Sequence, residues 1–210
     1  MRVGLAALGL LCALATTPAH ASAFDGEEAV VASTGGVVER KDDCLIVHLT
    51  SGTSRTHGCD PKSDLLGHLK GYDRARGLLV LHYTDGDIDD YSVIDLRTGD
   101  ETFFEAEPEF SPDGDVALEI VAGEFVESFN KRPAINVWRR HGGKFEREWS
   151  MPIPAEGQYA VLGWASNERI DVEWTASDIG LEDTEGKALF SLIQESGRWR
   201  RVDRPAWLRK

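Results

Sequence analysis

The chain has 210 residues, 36 Asp and Glu against 23 Lys and Arg, a formal net charge of −13 and 41% hydrophobic residues. That apolar fraction, with 9% aromatics, is enough to bury a core and excludes wholesale disorder. The negative charge excludes a nucleic-acid binder, which needs cations for phosphates, and three Cys are too few for a disulfide-dense scaffold.

The amino terminus reads as a secretory signal. Arg2 is followed by an 11-residue apolar run, Leu5 to Ala15, too short to span a bilayer, and then by Ala-x-Ala patterns ending at Ala21 and Ala23. Cleavage after Ala23 is expected, with Ala21 as the alternative. Leu11 before Cys12 argues against a lipoprotein signal, which wants a small residue there. No later segment has the length and apolarity of a span. The expectation is an exported chain of residues 24–210, periplasmic or secreted, with Gram-negative-type export.

Export leaves Cys44 and Cys59, an even pair in an oxidising compartment, which reads as a disulfide. A two-residue turn at Ser51-Gly52 would set these Cys directly opposite each other, His57 opposite Ile46 and His48 opposite Arg55. Before Cys44, Val30–Glu39 offers one strand. After Cys59, Asp60-Pro61 and a terminal Gly71 suggest a short helix over 60–71, although Gly67 weakens it.

The tight turn then recurs. Thr98-Gly99, Gly142-Gly143 and Ser196-Gly197 each separate two runs rich in β-branched and aromatic residues, as Ser51-Gly52 does. Five residues before the second Gly position stand Val47, Ile94, Trp138 and Leu192. Further strands are expected at Leu78–Tyr83, Val116–Val121 and Arg169–Trp174. Ser111-Pro112-Asp113-Gly114 carries type I turn chemistry before the second of them. A period near 45 with three or four strands is blade-like. It divides the mature chain into units 24–60, 61–104, 105–149 and 150–204. The expected fold is all-β, a propeller-like array of about four antiparallel hairpin-based units, with an eight-stranded barrel or a sandwich as alternatives.

Phe110-Ser111-Pro112-Asp113-Gly114-Asp115 resembles the phenylalanine-serine-proline-aspartate-glycine turn of Tol-associated periplasmic β-propellers. Val93-Ile94-Asp95-Leu96-Arg97-Thr98-Gly99 is similar to the preceding strand and turn of such blades. The resemblance implies a propeller-like platform for protein interaction and no catalytic residue. Family members have six or more blades, and this chain has room for four.

Charge is unevenly placed. Asp85 to Glu127 holds 15 acids and one base, Arg97, while Arg198 to Lys210 is net +5. Glu105, Glu107 and Glu109 alternate with Phe104, Ala106, Pro108 and Phe110, so a single strand would put the three Glu on one outward face. Three readings compete for the acidic belt: solvation, a surface for a basic protein partner, and Ca²⁺. For the last, Asp85, Asp87 and Asp89 place oxygens at alternate positions. Asp90 stands where an EF-hand needs Gly, and Leu96 where it needs Glu.

Five His follow the signal, without zinc-binding spacing or a serine-hydrolase elbow. All six Trp lie in the last 75 residues. Core packing accounts for most of them, and Trp207, flanked by Arg, is the expected exposed anchor. The functional expectation is a non-catalytic protein-binding module, such as an inhibitor or immunity protein for a basic partner. The alternative is a metal-dependent carbohydrate binder or hydrolase.

Overall fold

The computed structural model describes residues 27–41, 44–57, 67–85, 88–122, 132–154, 157–175 and 187–204. Among them lie one helix, α1 (Glu27–Ser33), and fifteen strands in four antiparallel sheets. Sheet 1 holds β1 (Val38–Lys41), β2 (Cys44–His48) and β3 (Ser54–His57). Sheet 2 holds β4 (Gly67–Asp73), β5 (Leu78–Asp85), β6 (Ile88–Asp95) and β7 (Glu101–Phe104). Sheet 3 holds β8 (Glu109–Phe110), β9 (Val116–Val121), β10 (Ala134–His141) and β11 (Lys144–Pro152). Sheet 4 holds β12 (Gln158–Ser166), β13 (Arg169–Thr175), β14 (Lys187–Glu195) and β15 (Arg198–Asp203). Each sheet pairs its strands in chain order. The fold is therefore a propeller-like array of four meanders, and among the described residues the sheets do not close into the alternative barrel.

Successive sheets share a core. Leu45, Val47, Leu79 and Leu81 join sheets 1 and 2. Leu78, Val93, Phe104, Ala117 and Phe145 join sheets 2 and 3. Val116, Leu118, Val137, Val172, Phe190 and Trp199 join sheets 3 and 4. Consecutive apolar runs follow from this stacking, because a strand covered on both faces cannot alternate. Leu78-Leu79 on β5 and Val116-Ala117-Leu118 on β9 send neighbouring side chains into different cores. None of the three cores joins sheet 4 to sheet 1 among the described residues.

Several local expectations are corrected. Residues 67–71 are not helical: they belong to β4, where Gly67 and Leu69 are buried and His68 and Lys70 exposed, a period of two. The 60–66 part of that expectation lies outside the described residues. Val30–Ser33 is helix, not strand; Val30 and Val31 pack on the first core, and Glu27 pairs with Arg40 of β1.

The first two turns are also longer than two residues. Leu49 N–H donates to Thr53 O (2.8 Å) and Gly52 N–H to Leu49 O (2.9 Å), leaving a three-residue loop. His57 therefore faces Leu45, and His48 faces Ser54. The described ladder is thus shifted by one residue from the expected one, and Cys59, the other half of the expected disulfide, lies outside the described residues. In the second turn Asp95 N–H donates to Asp100 O (3.0 Å), enclosing four residues. The Asp95 carboxylate widens that turn by accepting from Arg97 N–H (2.7 Å) and Thr98 N–H (3.4 Å). Gly142-Gly143 and Ser196-Gly197 are two-residue loops, as expected. Ser196 and Gly197 both have positive φ, 51° and 75°, as a type I′ turn requires.

The turns also tie sheet to sheet. A Cβ on Gly143 would stand 2.1 Å from Thr98 Oγ1, so glycine lets the third unit's turn sit on the second's. Arg140 of β10 donates through Nε to the buried Asp95 carboxylate (2.9 Å) and through Nη1 to Arg76 O (3.2 Å). Asp95 is 0% exposed, and removing it would strand the Arg140 guanidinium. Asp95→Ala is expected to cost about 3–5 kcal/mol in urea unfolding, the penalty of an uncompensated buried charge. A loss below about 1 kcal/mol would mean the pair behaves as a surface one.

Candidate partner-binding surface

The segment carrying Glu105, Glu107 and Glu109 is the crossing from sheet 2 to sheet 3. It is not the single strand expected from the alternating pattern. β7 ends at Phe104, and β8 begins at Glu109. Pro108 has no N–H for a ladder, and the N–H groups of Glu105 and Ala106 are diverted to a side chain. The alternation survives without the strand: Phe103, Glu105, Glu107 and Glu109 are exposed, while Phe104 and Pro108 are buried. Phe103 is 63% exposed, the largest value for a large apolar residue among the described residues.

The diverting side chain is Glu119 of β9, which is 1% exposed. One carboxylate oxygen, Oε1, accepts from the N–H groups of Glu105 (2.5 Å) and Ala106 (3.3 Å). The other, Oε2, accepts from Asn136 Nδ2 (2.8 Å) and Trp138 Nε1 (3.0 Å). Ser150 Oγ donates in turn to Asn136 Oδ1 (2.7 Å), fixing the amide's orientation. Burial pushes the Glu119 carboxyl above its ordinary range, while these four donors hold it down. Every partner is a donor, so the site is built for a carboxylate. Trp138, set by that bond, packs on Phe104 with ring centres 5.0 Å apart and so anchors the end of β7.

The exposed side of the crossing is supported from β4. Lys70 pairs with Glu107 (2.5 Å) and lies 5.1 Å from the centre of the Tyr91 ring. Tyr91 stacks on His82 at 4.6 Å. Glu109 is pushed up by burial and by the neighbouring Glu107 charge.

A second carboxylate sits between sheets 1 and 2. Glu101 accepts from Ser92 Oγ (2.6 Å) and Tyr83 Oη (3.3 Å), and faces His57 Nδ1 (3.1 Å). Burial pushes the Tyr83 hydroxyl up to about 12, with the Glu101 charge adding to it against the Ser92 hydrogen bond. Ser92 donates to the acid and not to His57, so the cluster holds no Ser–His pair.

The calcium expectation is placed as follows. Asp85 and Asp89 stand near the end of the β5–β6 hairpin, and Asp89 Oδ1 meets His82 Nε2 at 2.8 Å. Asp87 and the side chain of Asp85 lie outside the described residues. No group of three metal-ligating side chains occurs among the described residues. Trp207 also lies outside them. Trp149, Trp164, Trp174 and Trp199 all pack into or against the core of sheets 3 and 4.

No family model and no curated protein matches the chain. Two solved structures share distant likeness. One is a complex of S. cerevisiae Dbp5 with Nup159, Gle1, IP6 and ADP, at 13% identity and TM-score 0.38, covering 80% of this chain and 46% of that one. The other is the N-terminal domain of Nup159, at 13% identity and TM-score 0.36, covering 80% of this chain and 47% of that one. This chain thus spans about half the length of each. Among the described residues no helix is long and apolar enough to cross a membrane.

Sequence reasoning missed Phe103, Glu119 and the Glu101 cluster. Glu119 had a signal: a lone acid inside Val-Ala-Leu-Glu-Ile-Val, a run written for burial on both faces.

Glu101 gives a pH test. Burial opposes its ionisation, but the hydrogen bonds from His57, Ser92 and Tyr83 outweigh that and hold its carboxyl below the ordinary 4.5. Its stabilisation is thus complete above the unfolded value and lost as pH falls through the depressed one. Urea unfolding of wild type and Glu101→Gln should differ at neutral pH, and the gap should begin to close as pH falls below 4.5 and vanish once the depressed value is passed. A gap that stays constant into acid would contradict this.

Proposed function

We propose that the chain is an exported, non-catalytic protein-binding module that presents the Phe103–Glu109 ridge to a basic protein partner. One observation carries the reading: an exposed aromatic ring and three exposed carboxylates stand within seven residues of a crossing whose backbone is pinned by buried Glu119. Holding the crossing in one conformation lowers the entropy lost on binding. Phe103 supplies apolar contact, and the carboxylates steer a cationic surface toward it. The Tol-like Ser111–Gly114 turn follows the ridge directly and agrees with a protein-interaction platform. An inhibitor or immunity protein facing a cationic enzyme outside the cytoplasm is the sharper form of this reading. A Cys44–Cys59 disulfide belongs with it, since export would place both thiols in an oxidising compartment.

The test is affinity capture from extract of the producing cells with wild type and two triple variants of equal charge change. Glu105, Glu107 and Glu109→Lys should lose a basic partner that wild type holds at low salt and releases at high salt. Glu28, Glu146 and Glu168→Lys, exposed acids elsewhere, should retain it. Equal capture by both variants would sink the ridge as the binding surface.

A further inference from the structure

Phe103 stands on an open strand edge. β7 is the last strand of sheet 2 and pairs on one side only, with β6. Its ladder is regular, and the turn before it fixes the phase of the hydrogen bonds. Asp95 N–H donates to Asp100 O (3.0 Å), so the bonded pairs continue at Val93–Thr102 and Tyr91–Phe104. Glu101 and Phe103 occupy the alternate positions, and their main-chain N–H and C=O groups point away from β6. Among the described residues no other main-chain group bonds them. Beyond Phe104 the edge ends, because Glu119 holds the N–H groups of Glu105 and Ala106. The opening therefore covers two residues and about four main-chain bonds.

The last strands of the other sheets are not edges of this kind. Proteins blunt exposed edges with charge and with bulges. β11 carries Lys144, Glu146, Arg147 and Glu148, and β15 carries Arg198, Arg200, Arg201 and Asp203. β3 turns the main-chain groups of Ser54 and Thr56 outward, and neither residue brings an apolar anchor. Leu162, the other exposed large apolar residue among those described, lies at a bulge that breaks the β12 ladder. Among the described residues β7 alone joins outward main-chain groups to an exposed ring. That ring, 6.1 Å from the Tyr83 ring, offers an added strand a side chain to pack on.

What lies on this edge also meets the crossing, since β7 runs directly into exposed Glu105, Glu107 and Glu109. Lys70 pairs with Glu107, yet burial and the Glu107 charge still push Glu109 up, so negative charge persists there after that pairing. A segment that continues past Phe104 is matched by Lys or Arg side chains. We infer that the edge of β7 receives an extended basic segment of the protein partner as a fifth strand of sheet 2, its main chain bonded to Glu101 and Phe103 and its cations turned toward the crossing. This rests on the ridge reading above and adds the mode of binding. Main-chain bonds supply affinity, and Phe103 with the neighbouring acids supplies selection.

The probe is a synthetic octapeptide of alternating Lys and Val, added to the full chain at low salt. Amide hydrogen exchange reads the mode of binding. With peptide bound, the Glu101 and Phe103 N–H groups should exchange at least about tenfold more slowly. Thr102 and Phe104, already bonded to β6, should change little. Two substitutions separate ring from main chain. Phe103→Ala removes the ring, and Phe103→Pro also removes the outward N–H without touching a bond to β6. Phe103→Pro should therefore bind the peptide at least about fivefold more weakly than Phe103→Ala, the loss of one hydrogen bond. If Phe103→Pro fails to fold, the peptide N-methylated at every residue replaces it, and should bind wild type at least about tenfold more weakly than its parent. Unchanged exchange at Glu101 and Phe103 in the complex, or equal binding by the two variants, would overturn strand addition and leave the ridge standing. No binding to wild type at about millimolar peptide would overturn it too. Binding unaffected by Glu105, Glu107 and Glu109→Lys would instead contradict the ridge reading, and with it the choice of a basic segment.

Discussion

Glu119 is the interaction on which the middle of the molecule depends. A strand covered by sheets on both sides has no room for a charge unless its oxygens are filled by donors. Here two backbone N–H groups, an amide and an indole fill them. The backbone donors come from the crossing between units, which has no strand partner at Glu105 and Ala106. The carboxylate thus satisfies donors that the sheet leaves over, and the crossing satisfies a charge that the core would reject. Each half satisfies groups of the other, which links the core to the backbone of the exposed crossing.

The same device recurs nearby, once more at this seam and once at the seam of sheets 1 and 2. Asp95 closes its own turn and receives Arg140 from the next sheet. Glu101 gathers Ser92 and Tyr83 within sheet 2 and meets His57 from sheet 1. Apolar side chains press the sheets together, and buried acids add fixed contacts at the first two seams, Glu101 between sheets 1 and 2 and Asp95 with Glu119 between sheets 2 and 3. Part of the charge in the acidic belt is therefore structural. Asp95, Glu101 and Glu119 are committed inside the fold, and Glu105, Glu107 and Glu109 remain at the surface.

The period of tight turns was legible because Gly and its flanking β-type runs are local signals. Leu78, Val116 and Arg169 open strands where the pattern placed them. Lengths of the first two turns were not legible, since Thr50 N–H donates to Leu96 O and Asp95 caps its own loop, and both bonds follow from packing. Residues 67–71 misled because a Pro and a late Gly imitate a helix, while the buried-exposed alternation at Gly67–Lys70 decides for strand. The exposure of Glu105, Glu107 and Glu109 was readable from alternation alone. Their support was not, because Glu119 lies on a strand of the next unit and shares no local pattern with them. Phe103 was hidden by its neighbour: of two adjacent Phe, only the sheet's orientation says which one is buried.

Amide hydrogen exchange at Glu105 and Ala106 tests the role of Glu119 most directly. Both lie in the crossing and outside every ladder, so the Glu119 carboxylate is the acceptor that should protect them. In wild type they should exchange as slowly as the β9 amides at neutral pH. In Glu119→Gln, where one oxygen becomes a donor, they should exchange at least tenfold faster while amides of β5 stay protected. Fast exchange at both positions in wild type, or unchanged protection in Glu119→Gln, would contradict the clamp.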